Sequence, residues 1–208
     1  MKYIKKIALG VFSFFAVSLL LVTPSYAQSA NVTQQINAGS LSAAILDASR
    51  VTVASPSFGM TAAGYSFSCQ TVTGTLGSST QRLYVINPSA TTSGQAWNLS
   101  FAATGPWTSG GNSYAYNGSG CTTGQLTVNP AAGTVTADCS SSACTGATIS
   151  KGSSTAMSGS TAITVLSAPV GTTIWRGYIT GVGLSQQIPA EQPTGSYALP
   201  VTLTATAS

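Results

Sequence analysis

Alternation with a period of two is the feature that most limits what this chain can become, and it is clearest in residues 81–103, QRLYVINPSATTSGQAWNLSFAA. In the first arm Leu83 and Val85 fall on one side, Tyr84 and Ile86 on the other. In the second arm Trp97, Leu99, Phe101 and Ala103 share a face, with Asn98, Ser100 and Ala102 opposite. A strand sends successive side chains to opposite faces, whereas a helix repeats about every 3.6 residues, so both arms read as strands. Between them NPSATTSG is a loop of turn formers, in which Pro88 fixes φ and Gly94 is free to take positive φ. The stretch predicts a hairpin, or two sequential strands, whose Trp97 face lies on a core.

The same pattern recurs along the chain. Residues 32–36, 41–46 and 50–53 read as short strands separated by Asn37-Ala38-Gly39 and Asp47-Ala48-Ser49. Tyr65, Phe67, Cys69 and Thr71 alternate with Ser66, Ser68 and Gln70, which predicts a strand with Cys69 on its inward face. Residues 105–120 read as a Gly/Ser/Asn-rich loop carrying Trp107, Asn112, Tyr114 and Tyr116. Weaker strands are expected at 126–128 and 134–137, around Asn129-Pro130, with a loop over 140–160 and strong strands at 162–166 and 172–180. Tyr197, Leu199, Val201, Leu203 and Ala205 give the cleanest alternation of all. Pro200 has no N–H for a ladder, which marks this last strand as an edge. No helix-period segment of useful length follows residue 27, so the expected fold is an all-β, antiparallel, Greek-key-like sandwich.

The first 27 residues have another purpose. Lys2, Lys5 and Lys6 precede the apolar run 7–22, and small residues follow at Ser25 and Ala27. That order predicts a secretory signal peptide cut after Ala27, too short to serve as a bilayer span, with residues 28–208 as one mature domain. The leader holds three of the lysines. After its removal Arg50, Arg82, Lys151 and Arg176 face Asp47, Asp138 and Glu191, a net charge of only +1. No basic patch for nucleic acid or anionic lipid is left, and no second apolar segment tethers the mature chain to a membrane.

Read together, NAGSLSAAI near the mature start, SPSFGM, LYVINP…GQAWNLSF and the closing IPAEQPTGSYALPVTLT resemble the WxL domain of bacterial cell-surface proteins, over most of residues 31–206. The first of the two Trp-x-Leu motifs of that family matches Trp97-Asn98-Leu99; at the second, this chain has Val201-Thr202-Leu203. The resemblance implies a secreted protein held noncovalently on the cell wall, through peptidoglycan or another wall polysaccharide. A weaker likeness, mainly in the closing strand, is to β-sandwich subunits of fimbriae and spore-coat-like surface proteins.

The chain has no histidine, and the three carboxylates beyond the leader lie far apart in sequence. A Ser–His–Asp or Cys–His arrangement is therefore impossible, and Asp138 and Glu191 read as solvated surface groups rather than an acid and a base. The expectation is a protein without catalytic residues, cofactor or metal. Four cysteines in an exported chain predict disulfides, with three pairings open. Nearness along the chain favours Cys139–Cys144, which leaves Cys69 with Cys121; a four-thiolate zinc site is the rival that an oxidising address disfavours. Trp97 and Leu99 read as core. Trp107, Tyr114 and Tyr116, with Asn112 beside them, either fold back over the core or offer the flat apolar faces and hydrogen-bonding neighbours that sugar rings need. Gly105, Pro106, Ser109 and Gly110 around Trp107 predict a residue the fold can spare. Two functions compete: a wall-glycan binding module, and a subunit of a surface fibre that polymerises by strand addition, with NVTQQI as donor and the last strand as acceptor.

Overall fold

The computed structural model describes residue 34 and residues 39–88, 96–171 and 174–208. The predicted leader, the predicted strand at 32–36 and most of the NPSATTSG loop lie outside these. From Gly39 on, the described chain belongs to one compact unit, residues 37–208. Its strands are β1 (Ser42–Leu46), β2 (Gln70–Leu76), β3 (Arg82–Asn87), β4 (Trp97–Ala103), β5 (Trp107–Ser109), β6 (Asn112–Tyr114), β7 (Gln125–Asn129), β8 (Thr134–Ala137), β9 (Ser150–Lys151), β10 (Thr155–Ala156), β11 (Ile163–Ala168), β12 (Trp175–Thr180), β13 (Val182–Ile188) and β14 (Val201–Ala207). The fold is all-β and every strand pairing is antiparallel.

One layer is built from three long runs of chain, each interrupted once. β12 lies between β3 and β8, and β13 lies between β7 and β2. The same three runs thus stay side by side in two successive sheets, with β12–β13 in the middle. The interruptions are uneven. Ile179 opposes Leu83 and Val182 opposes Leu76, so three steps on the middle run face seven on its neighbour, and the surplus loops out at 77–81. On the other side Thr180 opposes Thr134 and Gly183 opposes Asn129, so three steps face five. That surplus coils into the 3-10 turn Pro130–Ala132, where Pro130 offers no N–H to continue the ladder. Gly181, between β12 and β13, takes φ +71, and its N–H donates to the Gly77 carbonyl. A β-branched residue could not hold that left-handed conformation without strain. The result is a ribbon creased across its middle, with β1 added beside β3 and β10 beside β7.

The second layer is the sheet β14-β4-β11-β9, and the two layers form the sandwich. β4 alternates buried and half-buried residues throughout, as its period of two predicts. β11 carries a bulge between Thr164 and Leu166, so Val165 and Leu166 are both buried where strict alternation would expose one. Trp97 of β4 stacks on Trp175 of β12 across the layers, with ring centroids 5.4 Å apart. Gly177, two residues along β12, makes room for that stack, because a Cβ there would collide with the Trp175 ring and the Thr136 carbonyl. Leu83, Leu99, Leu126, Val128, Met157, Leu166 and Ile179 complete one continuous core with the tryptophans. Each such side chain, fully buried, contributes about 1.5–3 kcal/mol relative to exposure.

Several sequence expectations meet a different local structure. Residues 105–120 hold a short hairpin, β5–β6, turned at Gly110 and Gly111, because Gly110 takes φ +57 at the tip. Of the expected strand 50–53 only the Leu46–Thr52 bridge forms, since Asp47 accepts the Ser49 and Val51 N–H groups and closes a tight loop. Tyr65 and Phe67 precede β2 rather than continuing it, and both are exposed. Residues 140–160 contain a single helical turn, α1 (Ser142–Thr145), capped by the Ser141 side chain, and the short strands β9 and β10. All four cysteines are joined, as Cys69–Cys121 and Cys139–Cys144. With every thiol consumed, none is left to hold zinc. β14 is an edge strand, directly after Pro200.

Candidate functional site

The β5–β6 hairpin forms one wall of a cleft of about 440 Å³. Its own pairing sets Trp107 opposite Tyr114, and the two rings lie nearly parallel with centroids 6.0 Å apart. Tyr197 leans on Tyr114 at 5.1 Å. The facing wall is the segment 57–66, which contributes Phe58, Met60 and Tyr65, and the floor comes from Gln70 and Val72 of β2 and Ile188 of β13. The third side is the loop 192–197 before β14.

Each wall is fixed by local chemistry. Segment 57–66 lies across β2 because Gly74 has no side chain: a Cβ there would sit 2.6 Å from the Gly59 carbonyl oxygen. The Thr61 N–H donates to the Thr73 carbonyl at 2.7 Å, and Gln70 Nε2 donates to the Gly64 carbonyl at 2.7 Å. The hairpin is clamped to the segment before β14 by reciprocal backbone bonds between Thr108 and Ala198, at 3.0 and 2.9 Å. Gln192 Nε2 donates to the Tyr197 hydroxyl, which donates in turn to the Pro193 carbonyl, each at 2.8 Å. Glu191 stands at φ +58, and its N–H donates to the Ser66 carbonyl at 2.8 Å, joining two walls. The Cys69–Cys121 bridge ties the entry of β2 to the loop that follows β6.

The hairpin is also tied to the interior. Trp107 Nε1 donates to Gln186 Oε1 at 2.8 Å, and Gln186, in β13, is fully buried. Gln186 Nε2 donates to the carbonyls of Gln187 at 2.7 Å and Ala115 at 3.3 Å, so every polar atom of that side chain has a partner. Burial, with a lesser push from Tyr197, raises the Tyr114 hydroxyl to about 12, and it is neutral at any physiological pH. None of the described residues that line the cleft is charged. The equipment is aromatic faces, amides and hydroxyls, which can stack on rings and bond to neutral hydroxyl or amide groups.

The residues singled out in the sequence separate in space. Trp107 and Tyr114 line the cleft. Asn112 is exposed on the hairpin away from the lining. Tyr116 is buried in the core, where its one hydroxyl proton is shared between the carbonyls of Ala103 and Gly159, and it presents no face to a ligand. Trp97 and Leu99 are core residues. The sequence does not single out Phe58, Tyr65, Tyr197 or the buried Gln186; its one signal for them is that the aromatics in 58–67 and at 197 stand beside turn residues.

Asp138 lies elsewhere, on the outer face of the β3–β12 pair. Arg50 Nε and a terminal nitrogen each donate to it at 2.6 Å, and the Tyr84 hydroxyl donates at 2.8 Å. Arg176 Nε donates to its backbone carbonyl, also at 2.6 Å. The Arg50 hydrogen bonds hold the Asp138 carboxyl down at about 2. Burial and the Asp138 hydrogen bond push the Tyr84 hydroxyl up. Arg50 makes its reach from a left-handed conformation, φ +65. Among the described residues no group of histidine, cysteine, aspartate or glutamate is placed to hold a metal ion, and no helix is long and apolar enough to cross a membrane. No family model, curated protein or solved structure matches this chain.

Proposed function

We propose that this protein is a noncatalytic, secreted cell-surface module that holds a wall glycan, peptidoglycan or another wall polysaccharide, in the cleft between the β5–β6 hairpin and segment 57–66. The observation that carries the reading is the aromatic wall of Trp107, Tyr114 and Tyr197, set beside the amides of Gln70 and Gln192. Flat apolar faces next to directional donors and acceptors suit a sugar, which has apolar ring faces and polar edges. The resemblance of Trp97-Asn98-Leu99 and the closing segment to WxL domains supports the same location, and the basic, apolar leader supports export. Trp97 and Leu99 serve such a protein as core residues of β4, the strand that pairs with β14.

A test is retention of the mature protein on purified bacterial cell walls, with and without prior glycan degradation. Tyr114→Ala, which removes the middle ring of the wall, is compared at matched melting temperature. The reading expects retention by intact walls, loss after glycan degradation, and weak retention of the variant. Retention that survives glycan degradation contradicts it.

A second reading has its own observation. β14 is a seven-residue edge strand, VTLTATA, without a charge, a bulge or an internal proline. Sheet edges of that kind accept strands from other chains, which is what a fibre subunit needs. Ladders or polymers of the mature protein on size-exclusion chromatography favour this reading, and a sharp monomer peak removes it.

A further inference from the structure

The cleft does not end at its rim. Tyr65 belongs to the wall of the cleft and also to a second aromatic pair outside it, with Phe67, at 5.3 Å in edge-to-face contact. Tyr65 is 52% and Phe67 78% exposed. Two adjacent aromatic rings standing in solvent contribute little to a core, and an apolar patch continuous with a cleft is what an interaction surface requires. The pair is not on a loose strand of chain. Ser66 and Ser68 flank Phe67, with the Ser68 N–H donating to Ser66 Oγ at 3.0 Å. The Ser66 carbonyl accepts from Glu191, and Cys69 is bridged to Cys121. The backbone that displays the rings is pre-ordered, so stacking on them spends entropy on side-chain rotamers and not on the chain.

Charge narrows the ligand further. All three arginines stand on the outer side of the β3–β12 pair and are already engaged, Arg50 and Arg176 with Asp138, Arg82 with the Ser79 carbonyl and over the Tyr178 ring at 4.6 Å, while Lys151 is bonded to the Ala131 and Gly133 carbonyls away from the cleft lining. An anionic sugar in the cleft would bring its charge to a lining with no cation to meet it, and a polar group taken from water without a partner is penalised.

Resting on the glycan-binding reading above, we infer that the ligand is an uncharged glycan chain longer than the cleft, whose outgoing sugars run over Tyr65 and Phe67. Stacking on this outer pair raises affinity for long chains and leaves short ones unaffected, and without ionic contacts the binding is insensitive to salt. A proline-rich peptide also suits aromatic grooves, but the hydroxyl protons of Thr61, Ser66 and Ser196 and the side-chain oxygens of Gln70 and Gln192, which the wall's own bonds leave over, offer more polar partners than a peptide with few donors can use.

The experiment is calorimetric titration of the mature protein and of Phe67→Ala with chitobiose, chitohexaose and the matching cello-oligomers, at low and high sodium chloride. Polygalacturonate and a polyproline peptide serve as contrasts. The exposure of Phe67 means that the variant folds, which its unchanged melting temperature checks. We expect the hexasaccharide to bind about 3–10-fold tighter than the disaccharide, Phe67→Ala to erase that advantage, disaccharide affinity to stay unchanged, and salt to have no effect. Equal affinity for both lengths, a Phe67→Ala variant that keeps the length advantage, or salt-sensitive preference for polygalacturonate overturns this inference while leaving a glycan site in place. Binding of the peptide instead of any sugar overturns the inference and the glycan reading together, whereas no binding of any of these oligomers overturns the inference and leaves the glycan reading to the cell-wall retention test.

Discussion

The indole N–H of Trp107 donates to the side-chain oxygen of Gln186, a residue with no exposed surface. This bond couples the wall of the cleft to the central strand of the creased ribbon, and it reverses the expectation that Trp107 is dispensable to the fold. Glycines and serines around Trp107 describe its neighbours in sequence, whereas its neighbour in space is a buried amide whose other contacts leave it no freedom to turn away.

Gln186→Leu removes the acceptor while keeping the volume. The Trp107 N–H and the carbonyls of Ala115 and Gln187 all lose a partner, so we expect a loss of about 1–3 kcal/mol in stability. Denaturant unfolding followed by far-ultraviolet circular dichroism measures it; an unchanged midpoint contradicts the coupling.

The disulfides should rank by the chain they close. Cys69–Cys121 spans 52 residues and Cys139–Cys144 spans 5. In the chain-entropy account the long loop is worth about 4 kcal/mol and the short one about 2 kcal/mol. Cys69→Ser/Cys121→Ser should therefore melt well below Cys139→Ser/Cys144→Ser, and a reversed order by calorimetry refutes this.

Asp138 sets an acid limit. Its carboxyl is held near 2 in the folded protein, below the 3.8 of the free group. A depressed folded value means that the stabilisation is present above about 3.8 and is lost as the pH falls toward 2. Arg50 is half-exposed, so solvent screens the pair and the contribution is small. Asp138→Asn should flatten the stability profile between these limits. An unaltered acid slope in urea melts at several pH values tells against the ion pair.

Gly177 is required by the tryptophan stack. A methyl group at that position meets the Trp175 ring, so Gly177→Ala should cost about 1–3 kcal/mol by overpacking. A variant that melts with the wild type shows that the stack can yield.

The alternation in residues 97–103 made β4 and its buried face legible from the sequence, and the even cysteine count with one very short spacing made the disulfides legible. β13 was not. Its inward residues are Val182, Leu184 and Gln186, and the glutamine in the third inward place hides the period. Val165 and Leu166 likewise break the pattern, because the bulge that buries both is a property of two paired strands, not of one. The cleft was half legible. Trp107 and Tyr114 stand out as aromatics in a polar stretch, but Phe58, Tyr65 and Tyr197 come from distant parts of the chain. The close approach of segment 57–66 to Gly74, the bond from Gln70 to the Gly64 carbonyl and the clamp between Thr108 and Ala198 bring them together, and none of these contacts can be read from one segment alone.

The central claim, that a glycan stacks on the cleft wall, is tested most directly by tryptophan fluorescence. Of the three tryptophans, Trp97 and Trp175 are 1% exposed, so acrylamide reaches only Trp107. Saturating chitohexaose, or soluble wall glycan of the same neutral class, should shift the emission and protect it from acrylamide, and Tyr114→Ala should weaken both effects. Emission and quenching that stay unchanged while the same glycan is bound would place the sugar elsewhere and contradict the claim.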